Sequence, residues 1–101
     1  MRTLCFFDLP VLTVQDKREY RKFRKYLIKY GFLQEQESVY SKLVQNISAA
    51  DAIIENVRKN KPPTGLVQIL KVTEKQYENM DFIVGQRITN VLDSDERLVI
   101  L

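Results

Sequence analysis

A single carboxylate, Asp8, closes the apolar run Leu4-Cys5-Phe6-Phe7 and is followed by Leu9-Pro10 and then by a densely basic stretch. An acid delivered to the end of a strand, with cations suited to phosphate close behind it in sequence, suggests work on nucleic acid. The competing reading is local: a carboxylate in the turn before a proline accepts backbone hydrogen bonds and does nothing more. Composition narrows the chemistry further. The chain has one cysteine, Cys5, and no histidine. That excludes an internal disulfide, a Cys/His zinc site and any histidine general base or triad. A metal bound here would be a hard ion held by oxygen.

The basic stretch has a pattern of its own. Residues 16–29 carry seven of the sixteen basic residues (Lys17, Arg18, Arg21, Lys22, Arg24, Lys25, Lys29) against Asp16 and Glu19, a local +5 in a chain of net +3. At about 100° per residue, Arg18, Arg21, Lys22, Lys25 and Lys29 fall within one arc of about 100°, opposite a stripe of Tyr20, Phe23, Leu27 and Tyr30. The expected helix turns aromatic residues inward and cations outward. A cationic face can be a solvated face and nothing else. Five cations without an intervening acid repel one another, however, and a polyanion relieves that repulsion, which makes Lys17, Arg18, Arg21, Lys22 and Lys25 candidate nucleic-acid contacts.

The elements that must position these residues follow from periodicity and caps. A first strand runs from Arg2 or Thr3 to Asp8, with Leu4 and Phe6 on one face and Cys5 and Phe7 on the other, so both faces are expected to be buried. Thr13-Val14-Gln15-Asp16 opens the basic helix as a capping box, and Gly31 stops it after Tyr30. Phe32–Gln36 and Ser38–Val44 read as a tight or kinked hairpin. Ser48-Ala49-Ala50-Asp51 repeats the capping signature before an apolar stripe of Ala50, Ile53, Ile54 and Val57, and Lys61-Pro62-Pro63 ends that second helix. Leu66–Val72 is a long strand, followed by a helical turn around Glu74–Asn79, a short strand at Phe82–Val84 and a terminal strand at Leu98–Leu101.

Strand, helix, strand, strand, helix, strand is the order of the α+β ferredoxin-like split fold, here with extra C-terminal strands. At 101 residues, with 45% hydrophobic and 29% charged residues, one folded domain spanning 1–101 is expected, with 86–101 as a C-terminal extension. No run approaches the ~20 apolar residues that span a bilayer, and the apolar start is cut short by Asp8, so no membrane partner and a cytoplasmic location are expected. In this fold both helices cover one sheet face. The first strand is apolar on both, so the open face needs a cover, and a second copy of the chain is the simplest one. A homodimer is the expectation, and pairing would also shield the apolar terminal strands.

The ordered combination of motifs carries a resemblance. A strand ending Phe6-Phe7-Asp8, a basic helix ending Lys29-Tyr30-Gly31-Phe32, the run Gln36-Glu37-Ser38-Val39-Tyr40 and the late strand Leu66–Val72 together resemble the small CRISPR-associated adaptation subunit, the non-integrase partner in spacer acquisition. Lys59-Asn60-Lys61-Pro62-Pro63, Phe82-Ile83-Val84-Gly85 and Asp93-Ser94-Asp95-Glu96-Arg97 further resemble its type II-A branch.

The resemblance implies a homodimer that bridges dimers of a CRISPR-associated integrase subunit, with double-stranded spacer DNA laid across the assembly. It also implies a magnesium-dependent endonuclease acting on RNA or DNA. The family's metal-site aspartate matches Asp8, with Mg2+ as the implied cofactor, and its strand serine matches Ser38, which is otherwise a kink-former. Where many members place further acids after the aspartate, this chain has Leu9-Pro10-Val11-Leu12.

Two other readings carry less. Asp93 and Asp95 lack the glycine and third ligand of a calcium loop and read as a solvated turn, while in the family context this tail could dock the integrase by strand addition. An RNA-recognition module of the same topology would show aromatic residues on its central strands. Leu66–Val72 has none. Tyr40 and Phe7 are expected in the core.

Overall fold

The computed structural model of the chain describes residues 1–87. Its elements are β1 (Arg2–Asp8), α1 (Val14–Lys29), β2 (Leu33–Gln36), β3 (Val39–Leu43), α2 (Ile47–Lys59), β4 (Leu66–Val72) and a short α3 (Glu74–Glu78). The four strands form one antiparallel sheet in the order β2-β3-β1-β4. This is the ferredoxin-like arrangement expected from the order of elements. β1, the most apolar strand, takes an inner position between β3 and β4.

Alternation along β1 divides the molecule into two layers. Cys5 and Phe7 point into the main core, where they meet Phe23 and Leu27 of α1 and Ala50, Ile53 and Val57 of α2. Phe7 is the hub: its ring lies 5.3 Å from Phe23, 5.7 Å from Tyr40 and 5.9 Å from Tyr20, centroid to centroid. Such offset and edge-on contacts add to the area that each ring buries. Phe7 and Tyr40 are core residues, as expected. On the other face Leu4 is buried and Phe6 half-buried.

The caps explain the helix limits. At α1, Thr13 Oγ1 accepts from the Asp16 N–H at 3.0 Å while Asp16 Oδ2 accepts from the Thr13 N–H at 3.1 Å. Gly31, at φ 98°, ends the helix in a conformation that costs glycine nothing. α2 begins earlier than its Ser48 signature suggests, because Asn46 is the cap: its Oδ1 accepts from the Ala49 N–H at 2.8 Å. The expected kink in the hairpin is a bulge between Gln34 and Gln36, which leaves Glu35 as the extra residue.

Phe82–Val84 is not a strand: the segment is irregular, with Ile83 and Val84 91% exposed. It pairs with neither free edge of the sheet, β2 or β4, and β-prone residues do not hold a strand alone. The terminal strand Leu98–Leu101, the Asp93–Arg97 tail and the extension from residue 88 onward lie outside the described residues. None of the described helices is long and apolar enough to cross a membrane.

Burial of Cys5 leads to a testable consequence. The side chain is fully enclosed, and burial pushes its thiol up from the ordinary 9.0 to about 12. The folded chain therefore holds this proton more tightly than the unfolded chain does. That contribution to stability is intact below pH 9.0 and is lost as the pH rises toward about 12. Urea unfolding followed at increasing pH should show the midpoint starting to fall near pH 9, later and less steeply in Cys5→Ala. At neutral pH a thiol reagent should label Cys5 no faster than the chain opens.

Candidate functional site

Asp8 is the last residue of β1, and alternation puts its side chain on the sheet face that α1 and α2 leave open. The Phe7 N–H donates to the Ser38 carbonyl at 3.1 Å, which ties the end of β1 to the turn before β3. Asp8 and Ser38 consequently line one hollow of about 230 Å³, with Phe6, Val39, Leu66 and Gln68. The structure thus brings together the two residues singled out for catalysis. Asp8 is exposed and makes no ion pair among the described residues. No group of three acidic or soft ligands gathers there or elsewhere among the described residues. One chain offers one carboxylate.

The cations lie elsewhere. Lys17, Arg18, Arg21, Lys22 and Lys25 are all exposed, as are Arg24 and Lys29. α1 turns Phe23 and Leu27 to the sheet, so the basic arc faces outward on the far side of the helix layer. Among the described residues none of these seven side chains is in an ion pair, and Arg18 donates to Gln15 at 3.1 Å. The proximity of acid and cations along the sequence does not become proximity in space. Asp8 opens on one side of the sheet and the basic arc on the other, because one residue of β1 alternation separates Asp8 from the core-facing Phe7.

The open face holds a polar cluster that sequence reasoning missed. Arg2 donates from Nε and Nη2 to the two carboxylate oxygens of Glu74, each at 3.0 Å. Ser41 Oγ donates to Glu35 at 2.6 Å, and the Tyr77 hydroxyl donates to the same Glu35 oxygen. The guanidinium carbons of Arg2 and Arg87 each sit 4.0 Å from the Tyr77 ring centroid. Two cations at that distance cannot share a ring face, so the ring is held between them. Burial and then the bond to Glu35 raise the pKa of the Tyr77 hydroxyl. The partners are 42 and 72 residues apart in sequence, and no local spacing announces such pairs. Alternation from Leu33 sets Glu35 on the open face, and the bulge leaves it there as the extra residue of β2. The cluster clamps α3 over one end of that face and leaves the Asp8 end bare.

The family model described as CRISPR associated protein Cas2 matches residues 1–80. The chain belongs to the Cas2 family. Among its relatives, one from Treponema denticola is 55% identical over the full length of both chains. One from Streptococcus mutans serotype c is 46% identical over all of this chain and 93% of its own length. One from Ligilactobacillus salivarius is 45% identical over the full length of both. Each is named CRISPR-associated endoribonuclease Cas2. The resemblance to the small CRISPR adaptation subunit is therefore borne out, and the ferredoxin-like fold of this Cas2 chain with it.

The clamp gives a stability prediction for the Cas2 fold. Tyr77→Phe keeps the ring between two guanidinium groups but removes the hydroxyl from a charged acceptor, a bond worth about 1.5–3 kcal/mol. Urea unfolding should show a loss near the low end of that range, because Ser41 still donates to Glu35. Arg87→Ala should loosen residues 74–87 in hydrogen exchange and leave β1 protection unchanged.

Proposed function

We propose that the chain acts as a single domain in the cytoplasm, and that two copies form a DNA-binding scaffold bridging integrase dimers during CRISPR spacer acquisition. The observation that carries this reading is the outward arc of α1, Arg18, Arg21, Lys22, Lys25 and Lys29, with Lys17 beside its edge, all exposed and free of ion pairs among the described residues. From Arg18 to Lys25 the arc runs about 10 Å at 1.5 Å per residue, the axial length of about three nucleotides of duplex. Contacts of this kind neutralise phosphates and carry no base information. The open sheet face supports the dimer: Leu33, Leu43, Leu66 and Leu70 are 58%, 59%, 54% and 53% exposed there. Four leucines left in water on one face call for an apolar cover, and a second copy supplies the matching surface.

A second reading, a magnesium-dependent endonuclease, draws on the Asp8 hollow and on the endoribonuclease name of the relatives. The donor set of this hollow is hard oxygen, Asp8 carboxylate and Ser38 hydroxyl, and suits Mg2+, which binds through one or two carboxylates and keeps water and phosphate as its other ligands. It does not suit a closed all-protein cage. Bound there, magnesium would supply charge neutralisation and a more acidic water for phosphodiester hydrolysis. Asp8 would hold the ion, a second copy's Asp8 would add a carboxylate, and Ser38 would donate to a phosphate oxygen.

Salt dependence tests the scaffold. Log K for duplex DNA should fall with log salt at about −0.9 per phosphate neutralised, with little sequence preference. Arg18→Ala, Arg21→Ala and Lys22→Ala combined should flatten the slope and weaken all duplexes alike, while folding free energy stays within about 0.5 kcal/mol per site. Unchanged affinity and slope would reduce the arc to a solvated face.

Asp8→Ala separates the two readings. The variant should stay dimeric, with light scattering at twice the 11.9 kDa chain mass, should bind duplex DNA and the integrase as before, and should lose any magnesium-dependent cleavage. Spacer acquisition should persist. An assembled, DNA-bound variant that cannot acquire spacers would reverse the ranking.

A further inference from the structure

The loop that carries Gly65 touches the candidate metal residue from behind. Gly65 adopts φ +97°, and a Cβ placed on it would stand 2.8 Å from the Asp8 carbonyl oxygen, 2.7 Å from Leu9 Cδ2 and 3.2 Å from Leu9 Cα. Two of these three atoms are backbone and cannot move aside as a flexible side chain would. The position therefore requires glycine twice, for its conformation and for its lack of a side chain. The contact lies where β1 ends: Asp8 pairs with Leu66, the residue after Gly65, and Leu9 is seated in the core. Pro10 restricts Leu9 to extended backbone.

We infer that Gly65 is a positioning residue for Asp8, fixing the Asp8–Leu9 peptide so that the carboxylate opens into the hollow it shares with Ser38. The inference rests on the metal reading of Asp8. A side chain at 65 would push the Asp8–Leu9 peptide away from β4 and swing the carboxylate off its present line. Gly85 provides an internal control. It has a similar φ of +89°, yet a Cβ there would meet nothing within 4 Å. Backbone strain without contact can thus be measured separately.

The test uses the full chain, 15N-labelled, titrated with Mn2+ alone as a paramagnetic hard cation, reading the amide signals of Asp8, Leu9 and Ser38 against those of α2. In the native protein these three signals should broaden first, and Asp8→Asn should abolish the selectivity. Gly65→Ala should shift the metal-free Asp8 and Leu9 signals and raise the Mn2+ concentration for half-broadening by about tenfold, the scale of lost support behind a ligand. Gly85→Ala should do neither. Should Gly65→Ala fail to fold, Leu9→Val shortens the side chain whose Cδ2 occupies the space a Gly65 Cβ would enter, and by loosening the same peptide should move the half-broadening concentration in the same direction by a smaller factor. Half-broadening unchanged in Gly65→Ala, or in Leu9→Val in its place, with Asp8→Asn still abolishing selectivity, overturns the positioning role alone. No selective broadening in the native chain, or selectivity that survives Asp8→Asn, overturns the metal reading and the positioning role together.

Discussion

The contact on which the rest depends is Phe7 of β1 packed against Phe23 of α1, at 5.3 Å between centroids. It decides which face of β1 is inside. Once Phe7 is inside, Cys5 is inside and Arg2, Leu4, Phe6 and Asp8 face the other way, because a strand alternates with period two. Once Phe23 is inside, the cations that lie opposite it on α1 face solvent. A one-residue slip of β1 would bury Asp8 against an aromatic core without a partner and expose Phe7, at a cost that no other contact in the sheet offsets.

The open face shows how a small domain divides one surface between two uses. At the Arg2 end it is closed in cis by α3, whose Tyr77 is gripped by two arginines and bonded to Glu35. Beyond α3 it is left open: Leu66 stands exposed beside Asp8, Leu70 and Leu33 at the level of Leu4, and Leu43 at the margin beside Arg2. A polar clamp suits the first task, since paired charges and satisfied hydroxyls fix one geometry for α3. Apolar surface suits the second, since it attracts a cover without dictating its details.

What was legible in the sequence was local. The strand Arg2–Asp8, the Thr13–Asp16 capping box, the Gly31 stop and the inward Phe23–Leu27 stripe each arise from residues within a few positions of one another, and all match the structure. The α2 start was misplaced because Asn46 and Ser48 both can cap, and the choice depends on how far the helix extends back from Val57 into the core. Phe82–Val84 has strand propensity but docks on neither open edge of the sheet, β2 or β4, and propensity without a paired edge does not make a strand. At the site, the Asp8–Ser38 pairing was reached through the family pattern. The Glu35–Tyr77–Arg2–Glu74 cluster and the Gly65 contact were out of reach, because both join segments distant in sequence.

Separation of acid and cations bears on how the two proposed activities share one chain. The outer face of α1 lies beyond the sheet by about the 10 Å diameter of a helix, which is at least one Debye length at physiological salt. A duplex held on the arc would hardly sense the charge on Asp8, and a phosphate drawn to Asp8 would gain little from the arc. The two surfaces can therefore change independently in sequence and in strength. What couples them is mechanical: α1 packs on Phe7, and the next residue is Asp8. In the proposed complex, α1 holding a duplex would bear on β1 through the core that Cys5, Phe7 and Leu9 share with Phe23 and Leu27, on either side of Asp8 in sequence.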